Sequence, residues 1–255
     1  MSLFYKVPRA NFSKKFSASG ILWLNEKYNN QRHQNCYGYD INSAYSWALL
    51  QPMPDTSIPV DHCRDLKLNE IGLDCNNEIV LTGFAHLIWP KIKSPFVEFV
   101  NKWYNKKQTA PKGSKERQYA KNIMNMAIGY LQRVNPILRT FVLDYANKRV
   151  KSFINDDTLY CNTDSIVSLT QRFDIEENLG DGLGQWKLEH FGDFAYKGFC
   201  YQWNKSIPSY RGVSKSWFKP DFDILVDELP ECGNLYFYNP KTNQIERLSD
   251  EKDKT

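Results

Sequence analysis

The spacing of apolar and polar positions changes character several times along this chain. Residues 36–41, CYGYDI, form a short apolar and aromatic run, which predicts a strand that reaches one acid, Asp40. NSAYSWALL follows with a helical pattern and stops before Pro52 and Pro54. Upstream, GILWLNEKYNNQ (20–31) predicts a short helix with Leu22, Leu24 and Tyr28 as its apolar contacts. Residues 78–90, EIVLTGFAHLIWP, are β-branched and aromatic and predict a single strand. In PFVEFVNKWYNKKQ (95–108), Phe96, Phe99, Val100 and Trp103 recur at helical spacing. APKGS (110–114) is a turn, and KERQYAKNIMNMAIGYLQ begins a second long helix, so the two predict a helical hairpin. NPILRTFVLDYANKRVKSFIN predicts a third helix. TLYCNTDSIVSLT (158–170) predicts a β-hairpin with NTDS at its tip, and LGQWKLEHFGDFAYKGFCYQWN predicts further strands. YRGVSK (210–215) predicts a basic turn, and LSDEKDKT predicts a frayed tail.

Composition narrows the class without naming a function. With 255 residues, of which 42% are hydrophobic, the chain can bury a real core in one domain or in one domain with subdomains. The net charge of +4 is compatible with a polyanionic partner and is also what an ordinary solvated surface carries. The six cysteines contain no C-x-x-C pair, so a zinc site is not expected. The N-terminal MSLFYKVPRANFSKK has no long apolar run, and neither a signal peptide nor a membrane span is expected. A soluble cytoplasmic protein with reduced thiols is the expectation.

A lone carboxylate at a strand end is poorly tolerated unless a cation or metal sits beside it. Asp40 therefore prompts a search for partners. A second acid, Asp164, stands at the tip of the NTDS hairpin, flanked by Thr163 and Ser165. Turn chemistry alone would account for these residue types. Between the two acids lies a basic helix carrying Lys121 and Asn125, four residues apart and so on one face.

In this order the segments resemble the polymerase domain of family B DNA polymerases, most closely the protein-primed type of bacteriophages and linear plasmids. DINSAYS, from Asp40 to Ser46, is similar to the family's D-x-x-S-L-Y-P motif, with Ala44 for Leu and Ser46 for Pro. KNIMNMAIG, from Lys121 to Gly129, is similar to K-x-x-x-N-S-x-Y-G, and YCNTDS, from Tyr160 to Ser165, to Y-x-D-T-D-S. LGQWKLE and YRGVSK resemble downstream palm and primer-binding segments. The resemblance implies an α+β fold: a palm with an antiparallel sheet, a helical fingers hairpin and a small thumb. It implies an N-terminal segment 1–39, palm in 40–94 and 136–215, fingers in 95–135, and a reduced thumb and tail in 216–255.

It also implies roles. Asp40 and Asp164 would be the catalytic acids and, with the main-chain carbonyl of Ile41, would hold two Mg²⁺ ions, or Mn²⁺ in their place. Lys121, Asn125, Lys115 and Arg117 would bind the nucleotide. Tyr45 would sit under the sugar and exclude a 2′-hydroxyl. Thr163, Lys197, Arg211, Gly212 and Lys215 would contact DNA. The implied partners are a DNA template and primer, deoxynucleoside triphosphates and replication proteins, with no membrane; the implied location is cytoplasmic, that of the host if the chain is phage-encoded.

Departures from the motifs are specific. Asn162 replaces the first acid of the third motif, and Met126 and Ile128 replace the Ser and Tyr of the second. Only 39 residues precede Asp40, which leaves no space for a proofreading exonuclease, and the spacings between motifs are short for the family's insertions. The expectation is a minimal polymerase without proofreading. A primer-making enzyme and a non-catalytic nucleic-acid-binding scaffold remain as alternatives.

Overall fold

The computed structural model describes residues 19–210, 213, 215, 218–229, 236–239 and 244–247. In chain order the elements are β1 (Ile21–Leu24), β2 (Gln31–Ile41), α1 (Ala44–Ala48), β3 (Met53–Pro54), β4 (Asp61–Asp65), β5 (Glu70–Leu73), β6 (Ile79–Val80), β7 (Phe84–Ile92), α2 (Val97–Thr109), α3 (Lys115–Val134), α4 (Pro136–Lys151), β8 (Thr158–Thr163), β9 (Ser165–Ser168), α5 (Phe173–Glu176), β10 (Trp186–Lys197), β11 (Cys200–Trp203) and β12 (Ser209–Tyr210). A further hairpin pairs Tyr236–Asn239 with Gln244–Arg247. The fold is α+β. The chain divides into two compact units: Ile41–Phe153 with Gly180–Trp186, and Leu22–Asp40 with Ile154–Leu179 and the described residues from Lys187 onward. This division follows packing, and residues 41–94 belong to the unit that contains the helices α2 to α4.

The first unit is built on helices capped by their own sequence. Ser114 accepts the Arg117 amide at 3.1 Å and starts α3. Gly113, at φ +84°, closes the turn from α2. Asn135 accepts the Leu138 amide at 3.1 Å, and Pro136 fills the first position of α4. Helix α4 is buried on most sides through Ile137, Leu138, Phe141, Val142, Leu143, Ala146 and Val150. Phe141 meets Trp89 edge to face at 6.1 Å, which ties α4 to the small sheet of β3, β7, β5 and β6, with β4 also on β7. Residues 78–90 form two strands instead of the one expected. Gly83 at φ +85° breaks the run after β6, and β6 pairs β5 alone.

The second unit holds a seven-stranded sheet in the order β1-β8-β9-β2-β10-β11-β12, apart from the end residues Ile21, Ile41 and Trp186. The pairs β8–β9, β2–β9, β10–β11 and β11–β12 are antiparallel. Its core gathers Cys36, Leu159, Tyr160, Phe194, Tyr196 and Trp203. Burial pushes the thiols of Cys36, Cys161 and Cys200 up to about 12, so they stay protonated and inert at neutral pH. The predicted helix at 20–31 is absent: Ile21–Leu24 is a strand beside β8, followed by a short 3₁₀ turn, Glu26–Tyr28. The Asn25 amide donates to the Leu159 carbonyl at 2.9 Å, and the Asn25 side chain accepts the Lys27 amide at 3.2 Å, so pairing and a local cap override the helical spacing.

Candidate active site

Asp40 is the penultimate residue of β2, half-buried between Tyr39 and Ile41, whose side chains alternate to the opposite face and are buried. The chain then turns sharply. Ser43 takes φ +55°, in the left-handed region that a non-glycine residue rarely adopts. A lysine holds this turn from within the first unit. Lys107, only 9% exposed, donates to Ser43 Oγ at 2.7 Å and to Asn42 Oδ1 at 3.1 Å. The Asn42 side chain also donates to the Asp181 carbonyl at 2.5 Å.

The expected hairpin is present, with Asn162 paired to Ser165 and only Thr163 and Asp164 between them. The Asp164 amide donates to the Asn162 carbonyl at 2.7 Å across Thr163, whose φ is +62°. That is the tight γ-turn with a positive central φ, a rare and strained form, and more so for a β-branched residue. Ser165 Oγ donates to the same carbonyl at 3.0 Å. The Asn162 side chain accepts the Thr163 hydroxyl at 3.2 Å, so it braces the turn where the motif would place an acid.

Register brings the two acids together. Asp40 pairs with Ser165 on β9, one residue from Asp164, and both acids line one pocket with Asn162, Thr163 and Glu189. Asp164 is half-buried. Burial, and next the negative charge of Asp40, push its carboxyl up to about 7, against a smaller opposing pull from Lys187. Lys187 and Glu189 project from β10. Lys187 Nζ lies 3.0 Å from Asp40 Oδ2 and 3.0 Å from Glu189 Oε1. Burial pulls the Lys187 ammonium down, but the charges and hydrogen bonds of Asp40 and Glu189 outweigh it and hold its pKa above the ordinary lysine range. Neither Lys187 nor Glu189 stands out in the motifs. The signal was the alternation in WKLE, which puts both on one face of a strand.

The floor of the pocket is aromatic. His190 stacks on Trp203 at 5.2 Å, and Trp203 lies so close to Gly38 that a Cβ there would sit 2.7 Å from its ring. Only glycine permits that approach.

The remaining expected residues are placed as follows. Ile41 is buried at the end of β2. Tyr45 lies half-buried on α1 and packs against the core of the helical unit. Lys121 and Asn125 are exposed on α3, as is Lys115. Arg117 donates to the Lys107 carbonyl at 2.5 Å, so its guanidinium stitches α3 to the end of α2. Met126 is 64% exposed, whereas Ile128 is buried in the core. Lys197 ends β10 opposite Cys200, and Lys215 is exposed. Arg211 and Gly212 lie outside the described residues.

Among the described residues no three His, Cys, Asp or Glu side chains converge as a metal cluster. Mg²⁺ does not require one. It is commonly held by one or two carboxylates, with waters and substrate phosphates completing the shell. Two acids at one pocket wall, the charge of Asp40 helping to raise the proton affinity of Asp164, fit that demand.

No protein-family model matches the sequence, and a search among curated proteins finds no match. Solved structures do match. The chain superimposes on phi29 DNA polymerase complexed with primer-template DNA and incoming nucleotide substrates with a TM-score of 0.59 at 15% identity, covering 76% of this chain and 51% of that one. The binary complex of the same polymerase with primer-template DNA gives 0.58 at 17% identity, covering 79% and 52%. The fold is that of a DNA polymerase domain. A third phi29 structure, with single-stranded DNA, gives 0.55 at 17% identity over 73% of this chain and 48% of that one. The chain thus spans about half the length of these neighbours.

Proposed function

We propose that this chain catalyses template-directed transfer of nucleotidyl groups from deoxynucleoside triphosphates to a DNA 3′-hydroxyl, as a polymerase of the protein-primed family B type. The observation that carries the reading is the convergence of the two motif acids, Asp40 and Asp164, on one pocket through the β2–β9 register. A protein with this fold and no such chemistry would have no use for two mutually repelling carboxylates at one wall.

In the reaction the 3′-oxygen forms a bond to the α-phosphorus, the bond to the pyrophosphate oxygen breaks, and the hydroxyl proton passes to solvent. Asp40 and Asp164, with the Ile41 carbonyl, would hold Mg²⁺. When bound, that ion supplies activation of the hydroxyl and neutralisation of phosphate charge. The strained turn at Thr163 fixes the direction of the Asp164 carboxylate, so little reorganisation is needed at the moment of reaction. From the helical unit, Lys121 and Asn125 present a cation and an amide on one exposed face, suited to a triphosphate and a base. Tyr45 would pack against the sugar. Primer-template DNA is the partner, held by phosphate contacts from residues such as Lys197 and Lys215.

A second reading, a non-catalytic DNA-binding protein, is favoured by one observation: the ammonium of Lys187 already pairs with Asp40. The deciding experiment is extension of a labelled primer on single-stranded DNA with deoxynucleotides and Mg²⁺ or Mn²⁺. Metal-dependent extension that stops in EDTA supports catalysis. DNA binding with no incorporation in either metal supports the second reading. None of the helices among the described residues is long and apolar enough to cross a membrane.

A further inference from the structure

A cation stands beside two of the acids that line the pocket. Lys187 reaches Asp40 and Glu189 at 3.0 Å each, within hydrogen-bonding distance of both carboxylates. Its position is fixed by the sheet. Lys187 and Glu189 are two apart on β10, so they share a face, and β10 lies next to β2 in the strand order. The stem is half-buried, which limits how far the ammonium can swing away.

Charge counting gives this contact its meaning. Asp40, Asp164 and Glu189 carry three formal negative charges when ionised, and Lys187 returns one positive. Asn162 adds none, where an aspartate would have added a fourth negative charge. A net charge of minus two is matched by one divalent ion. A second dication bound to the same Asp40 carboxylate would also lie a few ångströms from an ammonium, and like charges at that range repel strongly at a half-buried site.

We propose that Lys187 is a resident cation of the acid cluster, supplying part of the charge that a second divalent ion would supply, so that the nucleotide-free protein binds one divalent ion and not two. This rests on the reading of Asp40 and Asp164 as the nucleotidyl-transfer centre. Lys187 acts as a positioning residue: it holds the Asp40 carboxylate and sets the number of ions the acids accept. The second ion then enters only with the triphosphate, whose oxygens bring the missing negative charge. The neutral amide at Asn162 and the ammonium of Lys187 both leave the site less negative than an all-acid cluster would be.

The test is Mn²⁺ binding to the full chain without nucleotide, counted by electron paramagnetic resonance of free Mn²⁺ and by calorimetry. The parent should show one site. Lys187→Met should gain a second site or bind the first at least ~10-fold tighter, whereas Lys187→Arg, which keeps the charge, should retain the parental stoichiometry. Asp164→Ala should lose the site. Circular dichroism establishes that each variant is folded; if Lys187→Met is not, the parental stoichiometry and Lys187→Arg decide. Two sites of similar affinity in the parent, or unchanged binding in a folded Lys187→Met, overturn the role of Lys187 and leave the acid pair intact. No binding by the parent or by Lys187→Met overturns both this role and the reading of the acids as a metal centre.

Discussion

Asp40 faces Ser165 across the β2–β9 ladder, and this single register places it one residue from Asp164 at the strained tip. A slip of one residue would turn Asp40 to the other face of the sheet and dissolve the pair. The convergence of the acids is therefore a property of strand pairing, and its consequences can be measured in the fold as well as in the chemistry.

The first consequence is a pH-dependent stability. Folded Asp164 keeps its proton up to about 7, against 3.8 for the ordinary carboxyl. Between those values the folded state binds more protons than the unfolded chain, so stability falls as pH rises through this window and is lowest above it. In a chelating buffer, Asp164→Asn should match the parent near pH 4 and melt ~3–8 °C higher at pH 8. Thermal melts of both proteins across this range check it; parallel curves would show that Asp164 is not confined as described.

Gly38 lies close against the Trp203 ring. Gly38→Ala forces a methyl group against the Trp203 ring at 2.7 Å, a contact that requires Trp203 or the strand to move. The expected loss is about 1–3 kcal/mol. Urea unfolding followed by tryptophan fluorescence measures it, and an unchanged midpoint contradicts the packing described.

Asn135 caps α4 while fully buried. Its side chain accepts from the Leu138 amide and donates to Thr56 Oγ1 at 2.8 Å. Asn135→Ala leaves both partners unsatisfied and should cost about 1–3 kcal/mol, with the denaturant slope unchanged. Asn135→Asp keeps the cap and should recover part of the loss.

Tyr45 lies half-buried on α1, and the proposed function gives it a second duty against the sugar. Tyr45→Ala should raise ribonucleotide relative to deoxynucleotide incorporation by about 10-fold or more, because removing a close contact relaxes discrimination on that scale. Single-nucleotide incorporation with matched ribo- and deoxynucleotides gives the ratio. An unchanged ratio assigns Tyr45 to packing alone.

How much of this was legible in the sequence depended on the range of the interaction. The turn at residues 110–114 and the NTDS tip are local and readable, and the helices α1 to α4 and the hairpin stand where their patterns put them. Residues 20–31 misled because Leu22 and Leu24 satisfy a helix as well as a strand, and what decides is the β8 edge more than a hundred residues away. Gly83 splits a run that looks continuous, since a single positive φ is invisible in apolar spacing. At the site, Asp40 and Asp164 were readable as motif acids. Lys187 and Glu189 were not, because their meaning depends on β10 lying beside β2. Lys107 was not singled out by the helical spacing of residues 95–108, yet it is buried on Ser43.

The most direct measurement is primer extension by Asp164→Ala beside the parent, with DNA binding followed in parallel by fluorescence anisotropy. Loss of a carboxylate from a phosphoryl-transfer centre removes catalysis and leaves packing largely intact, so the account predicts a fall in incorporation of roughly 1,000-fold or more with DNA affinity within a few-fold of the parent. Extension by a folded Asp164→Ala at the parental rate would contradict it.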